Sequence, residues 1–373
     1  MILHTLAEKI HNQWYTYMIM TCLVPLLHLS GWFYLNQYPF ALVPIFTFIV
    51  APVADALLPQ VQKKKNDNNK TVKHSITQSH GDPYYRASLY VYVFIHTLTL
   101  LYSVYKSQEL LQKRRYYVFV LQILSLSIVS TAPAQAVGHE LIHRLNTVDR
   151  MLGKFLFSLT MYSHFATEHV YGHHKNVATH KDPATARKGE WIYTFVFRSV
   201  AGSLIDACHI ETNRLTQKFG TKTLSLRQYA VHHQVLQGIV LGDIVLPLVL
   251  WYIFGLHVCL TFVAQSITSI FFAESVNYCE HYGMMRKILP NGEYEPVTEK
   301  HSWDAPYTVS CFLYVNILLH SDHHAHPLKP YNKLEPGPEG TPTLPCGYAT
   351  LFLMALIPPL YFKVMHSLPA FQN

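Results

Sequence analysis

Six stretches of about twenty mostly apolar residues, at 14–35, 39–58, 87–105, 116–138, 236–254 and 256–275, leave this chain few ways to fold. A helical crossing of a bilayer's hydrocarbon core needs about 20 such residues, and backbone groups placed in lipid must be satisfied within the segment. The stretches are therefore predicted to be transmembrane α-helices. Only 14% of the 373 residues are charged, against about a quarter in ordinary soluble domains. The expected class is all-α: a polytopic membrane protein with six transmembrane helices in three hairpins, read as one domain over 1–373.

The short links Asn36-Gln37-Tyr38-Pro39 and Phe254-Gly255 permit only tight turns within the first and third hairpins. Between the first two hairpins, the loop 60–86 carries Lys63, Lys64, Lys65 and Lys70 and is expected to be solvated and flexible. Its lysines place it on the cytoplasmic side. Lys106, Lys113, Arg114 and Arg115 then fall on the opposite face, outweighed by the far more cationic stretch after segment four. The first apolar segment is too long for a signal-peptide core and is read as a retained anchor. Pro358-Pro359 interrupts the apolar tail, so 347–366 is expected to lie at the interface rather than cross it.

Six scattered cysteines include no C-x-x-C pair, which excludes a zinc ribbon, a thioredoxin motif and a rubredoxin-type iron site within this chain. The net charge of +7 suits an anionic membrane face or an acidic protein partner. No basic stripe is interleaved with stacking aromatics, so nucleic acid is not an expected partner.

Three histidine clusters carry the chemistry: His139-Glu140-Leu141-Ile142-His143, Glu168-His169-Val170-Tyr171-Gly172-His173-His174 and His320-Ser321-Asp322-His323-His324. Residues four apart share a helix face, so each cluster can direct two or three imidazoles at one centre. Imidazole binds iron, copper and zinc, and eight imidazoles exceed what one ion accepts. A site for two ions is the simplest account. If segments two, four and six end on one side, His139, His143 and His281 emerge there together with the other two clusters. Glu140, Glu168, Glu280 and Asp322 adjoin these histidines and are expected to accept their outer ring N–H groups. His139-Glu140-x-x-His143 also fits a zinc protease signature, but that reading leaves the other two clusters unused.

At these residues the chain resembles the integral-membrane alkane monooxygenases, within the membrane fatty-acid desaturase/hydroxylase superfamily. The resemblance rests on Glu168-His169-x-x-Gly172-His173-His174, Asn277-Tyr278-x-Glu280-His281-Tyr282-Gly283 and His320-Ser321-Asp322-His323-His324-Ala325. His301-Ser302-Trp303, Leu344-Pro345-Cys346-Gly347-Tyr348 and Pro358-Pro359 extend it over roughly Asp55 to Met365. Two positions depart from that family. Leu318-Leu319 stand where it usually has Gln-Arg, and His180-Lys181 where it often has Pro-Glu.

The resemblance implies a cytosolic cap over six helices and two non-haem iron ions. Their implied ligands are His139, His143, His169, His173, His174, His281, His320, His323 and His324. It further implies hydroxylation of the terminal methyl of an alkane or similar chain by O2 and two external electrons, classically from rubredoxin. The cysteine count already requires a separate donor protein. Such an enzyme would sit in the plasma membrane of a bacterium or the endoplasmic reticulum of a eukaryote. An apolar channel in the bundle would hold the chain, closed by aromatic side chains from segments one to three. Two other readings stand beside it: a fatty-acyl or lipid desaturase or hydroxylase using the same site, and a metal transporter.

Overall fold

The computed structural model describes residues 13–33, 38–63 and 83–371. Asn36 and Gln37 of the first turn, and most of the lysine loop 60–86, lie outside them. The described residues are helical, with only isolated bridges at Ile288–Tyr294 and Asp304–Thr343. In chain order the helices are α1 Trp14–Phe33, α2 Pro39–Leu57, α3 Pro83–Gln112, α4 Tyr116–Ile142 and α5 Thr147–Ser158. Next come α6 (165–176), α7 Ile192–Phe219, α8 Leu226–His232, α9 Gln234–Phe254 and α10 Leu256–His281. Four short helices follow, α11 Thr308–Leu313, α12 His320–Ala325, α13 Tyr348–Ala355 and α14 Pro358–Met365.

Helices α1, α2, α3, α4, α9 and α10 are long and apolar enough to cross a membrane. Their outward sides expose Ile19, Leu26, Ile49, Phe94, Leu98, Leu241, Leu248 and Trp251, a surface stable only against lipid. Their inward faces set small hydroxyl residues among apolar ones such as Tyr92, Leu100, Leu126 and Phe262. Ser107 donates to Thr261 at 3.0 Å, Ser127 to the Gln265 carbonyl at 3.1 Å, and Thr131 to the Ser269 carbonyl at 3.1 Å. Small hydroxyl residues let helix backbones approach and satisfy each other where hydrophobic contrast is absent. Asp243 behaves likewise, accepting from Ser163 at 2.6 Å.

Three of these helices run beyond the apolar stretches that announce them. α3 covers 83–112 rather than 87–105, α4 ends at Ile142 rather than 138, and α10 at His281 rather than 275. Hydropathy marks where lipid must be, whereas hydrogen bonding carries a helix on wherever protein covers it. His139 and His281 therefore lie inside α4 and α10, not after them.

The cap consists of α5–α8, α11, α12 and their loops. It gathers the C-terminal ends of α2, α4 and α10 with the N-terminal ends of α1 and α3. Asp55 near the end of α2 accepts from Val309 N at 2.7 Å and the Ser310 hydroxyl at 2.5 Å. Tyr17 of α1 accepts from Asn316 at 2.7 Å, and Ser88 of α3 lies 3.2 Å from the Tyr331 hydroxyl. α7 escaped the hydropathy reading because Arg198, Asp206, Glu211, Arg214 and Lys218 interrupt it. It buries Phe195, Ser199, Ser203, Ala207, Glu211 and Leu215 at four-residue spacing, and exposes Phe197 and Ile205 beside Arg214 and Lys218.

The apolar tail is two helices rather than one spanning 347–366, because Pro358 cannot continue a helix and disfavours helical backbone just before it. Both pack on α10, through Phe352 on Phe272 and Tyr361 on Tyr278, with ring centroids 5.1 Å apart in each pair.

Candidate metal centre

His139 and His143 sit one turn apart at the end of α4, after a break in the helix at Ala132-Pro133. α5 lies against that turn at unusually short range. A Cβ on Gly153 would come within 2.7 Å of the Gly138 carbonyl and 2.9 Å of Ile142 N, so only glycine allows the approach.

The second cluster contains a π-helical turn at His169–His173, whose hydrogen bonds close over five residues instead of four. It aligns His169 with His174, whose Nε2 atoms are 3.1 Å apart, and turns His173 elsewhere. In the third cluster, His323 approaches His174 at 3.1 Å, while His324 approaches His320 at 3.0 Å. The nine histidines thus form two groups: His139, His143, His169, His174 and His323, and His173, His281, His320 and His324. Within each group the ligand atoms lie within 4.8 Å of one another. The expectation that each sequence cluster serves one centre needs correction. Only the first does; the other two each divide between both groups.

The donor set fits cations. Each neutral imidazole carries a single ring N–H. His173 gives its Nδ1–H to Asp182 at 2.9 Å, and His320 Nδ1 faces the Ile317 carbonyl at 3.3 Å. Both rings must then present a bare lone pair at Nε2. Yet His173 Nε2 lies 3.3 Å from His324 Nε2, and His320 Nε2 lies 3.0 Å from both His281 Nε2 and His324 Nε2. The Nδ1 atoms of His281 and His324 are buried without a partner, so four Nε2 atoms converge where a cation would accept their lone pairs. Metal–imidazole bonds of about 2.0–2.1 Å put neighbouring nitrogens about 3.0–3.4 Å apart, the spacing seen. In the other group, the Nε2 atoms of His139 and His143 are buried without a hydrogen-bond partner. Burial pushes His143, His169, His174, His320 and His324 well below the ordinary imidazole range, and burial beside His173 takes His323 down to about 3. Neutral imidazole is the form that binds a metal.

The carboxylates beside the histidines do not take the outer ring N–H groups as expected. Glu140 pairs with Arg144 and accepts from Tyr331 N at 3.2 Å. Asp322 holds His326, Lys329 and Glu335 N. Glu168 is buried with Oε1 unpartnered, facing Gly172 and Asp206. Glu280 accepts from the Tyr348 hydroxyl at 2.7 Å, and its other oxygen lies 3.5 Å from the centre-facing Nε2 of His320. The reason is helical geometry, since a residue next to an inward histidine points about 100° away.

Asp182 is the carboxylate that does hold a cluster histidine. It also accepts from the Thr185 hydroxyl at 2.5 Å and Ala184 N at 3.0 Å, which fix it. Its signal in the sequence is faint: an acid before a proline, nine residues past His173. Asp182→Asn should lower metal retention about 10–100-fold, the usual cost of losing such a partner, measured as metal left after graded chelation. Unchanged retention would remove Asp182 from the site. α12 is pinned in turn by Asp304, which accepts from Ser321 N and Gly337 N at 2.8 Å each and which burial pushes up to about 6.

Between both groups and the membrane lies an apolar cavity walled by Ala136, Phe157, Phe165, Ala273, Val276 and Ile317, with His139, His169, Glu280 and His320 at its inner end. Its aromatic walls, Phe157, Phe165 and Tyr314, come from α5, α6 and the end of α11, not from segments one to three as expected. Phe48 of α2 reaches only a second, adjoining cleft.

Residues 115–337 match the sequence profile of the fatty acid desaturase family. The chain is 34% identical to alkane 1-monooxygenase 1 of Alcanivorax borkumensis over 326 residues, 87% of this chain and 76% of that protein. It is also 34% identical to alkane 1-monooxygenase of Acinetobacter baylyi, over 86% of this chain and 75% of the relative. The hydroxylase component of a xylene/toluene monooxygenase from Pseudomonas putida is 30% identical over 65% of this chain and 62% of its own. With six apolar spans and two buried imidazole groups behind that likeness, this multi-pass membrane oxidoreductase belongs to the alkane 1-monooxygenase family, within the fatty acid desaturase superfamily.

Proposed function

We propose that the chain, as one domain over 1–373, hydroxylates the terminal methyl of an alkane or related alkyl chain. Each turnover would consume O2, two electrons and two protons and yield a primary alcohol and water. The observation carrying this reading is the meeting of two neutral imidazole groups at the inner end of a membrane-facing apolar cavity. Two non-haem irons would supply the oxygen-activating redox chemistry that side chains lack. His139, His143, His169, His174 and His323 would hold one, and His173, His281, His320 and His324 the other. Asp182 keeps the His173 proton on Nδ1 and its Nε2 free. The Tyr348 hydroxyl holds Glu280 at the cavity's inner end. Ala136, Phe157, Phe165 and Val276 would confine the chain so that its terminal carbon alone reaches the centre.

Octane labelled with deuterium at its methyl groups, given under 18O2 to membranes containing the protein together with a reduced rubredoxin-type donor, should yield 18O-labelled primary alcohol by mass spectrometry. An unlabelled product, or none, would sink the assignment. The match to the fatty acid desaturase profile supports a second reading, oxidation of a fatty-acyl or other lipid chain. Its signature is an olefin, or oxidation of acyl substrate alone. The transporter reading falls with membership of an enzyme family.

The metal-bearing face is assigned to the cytosol by the lysines of the loop 60–86. Electrons would come from a separate small redox protein, rubredoxin-like in type. Lys175, Lys181, Arg187 and Lys188 are exposed on the cap, beside the second histidine cluster, and suit an acidic docking face. Donor-dependent turnover should fall several-fold as salt rises from about 0.01 to 0.15 M, where the Debye length shrinks from about 30 to 8 Å. A rate indifferent to ionic strength would contradict charge-guided docking.

A further inference from the structure

Glu274 is wholly buried in α10, one of the membrane-spanning helices. A carboxyl placed there is costly, and such groups mark routes for ions and protons. Its Oε1 accepts from the Tyr162 hydroxyl at 2.7 Å and from the Asn277 amide at 2.9 Å. Asn277 lines the inner cavity, so one side chain separates this carboxyl from the space beside the imidazoles. Oε2 is buried without a hydrogen-bond partner, with the Ser199 hydroxyl of α7 alongside.

From Glu274 a polar seam runs between α6 and α7 toward the surface of the cap. Ser199, Ser203 and Asp206 recur at helical spacing and share one face of α7. The two serines are buried, whereas Asp206 is half-buried and lies one turn from the exposed His209. Glu168 of α6 faces this line. Its Oε1 is buried without a partner, and its charge acts on both Asp206 and Glu274.

Gly172 keeps the seam open. A Cβ there would lie 2.8 Å from Asp206 Oδ2 and 2.9 Å from Glu168 Oε1, too close for either oxygen to stay. Buried oxygens that no protein group meets are met by ordered water. Glu168 Oε1 and Glu274 Oε2 thus mark places for water along the seam.

We infer that this seam delivers protons to the inner cavity. Asp206 takes them from the cap surface, water beside Glu168 conducts them, and Glu274 hands them on past Asn277. The inference rests on the hydroxylation proposed above, which consumes two protons for each alcohol formed. Both end on the oxygen atom released as water, while the other oxygen atom enters the C–H bond. Glu274 loses a proton toward the cavity and regains one from the seam, so a turnover leaves it unchanged. Glu168 serves only as an acceptor for that water, and no histidine of either group takes part.

Glu274→Gln tests the path, because glutamine still accepts from Tyr162 and Asn277 but cannot carry a proton. The variant should retain two irons per chain. With a reduced rubredoxin-type donor it should form alcohol about a hundredfold more slowly, the lower end for losing a positioned proton donor. Its rate should also show a larger solvent deuterium isotope effect than the wild type, which a packing role alone would not produce. Asp206→Asn should slow turnover less, since water at the cap surface partly replaces it. Wild-type turnover in Glu274→Gln, or slow turnover with an unchanged isotope effect, would overturn the path. Infrared spectroscopy reads the seam without turnover. A carrier holds a proton between cycles, so a carboxyl C=O band absent from Glu274→Gln should shift in D2O, and more slowly in Asp206→Asn. No such band, or equally fast exchange in both, would overturn the path. Exchange that follows this pattern in a wild type oxidising no alkane would support the path and overturn the proposed reaction instead.

Discussion

Replacing His173 with alanine should remove bound iron and product together. His173 is fully buried and belongs to a group of four, and its far nitrogen is fastened to Asp182. The substitution takes one of four donors from the second ion and strands a buried carboxylate, so assembly fails rather than weakens. Iron should fall from two per chain toward one, and alcohol formation by well over a hundredfold, beyond the range for an outer partner alone. Iron by mass spectrometry of the purified protein, together with product yield, checks this. His323→Ala should do the same to the other group. Wild-type iron and turnover in either variant would remove that residue from the centre.

Ala273→Trp should separate the metals from the substrate. Ala273 lines the inner cavity from α10, about two turns below His281, and belongs to neither histidine group. An indole there would fill the space assigned to the alkyl chain while leaving every proposed ligand in place. The expected result is full iron content with turnover reduced about a hundredfold or more, because even about 1 Å of misplacement at a reacting carbon costs that much. Unimpaired octane hydroxylation would mean that the chain binds elsewhere.

The spans were legible because lipid imposes a length and a composition that nothing else in the chain imitates. Their ends were not, since α4 and α10 continue under the cover of the cap. The nine histidines were legible as a set, but their partition was not. It depends on the π turn at His169–His173, and a one-residue change of helical register leaves no mark in composition. Asp182 was hidden for a similar reason. A loop brings it to His173, while Glu140 and Asp322, beside histidines in sequence, turn to Arg144 and Lys329. Tyr348 was visible only as part of a resembling motif, and its bond to Glu280 depends on α13 folding back along α10. The cavity walls were misplaced because Phe157 and Phe165 lie on α5 and α6, whose apolar stretches are too short to stand out.

The proposed reaction requires imidazoles from distant segments to enclose two irons, and Mössbauer spectroscopy of protein enriched in 57Fe examines that directly. It should find two high-spin ferrous ions per chain in nitrogen-rich surroundings, with about one lost in His173→Ala. Zinc alone, or no bound transition metal in active membranes, would contradict it.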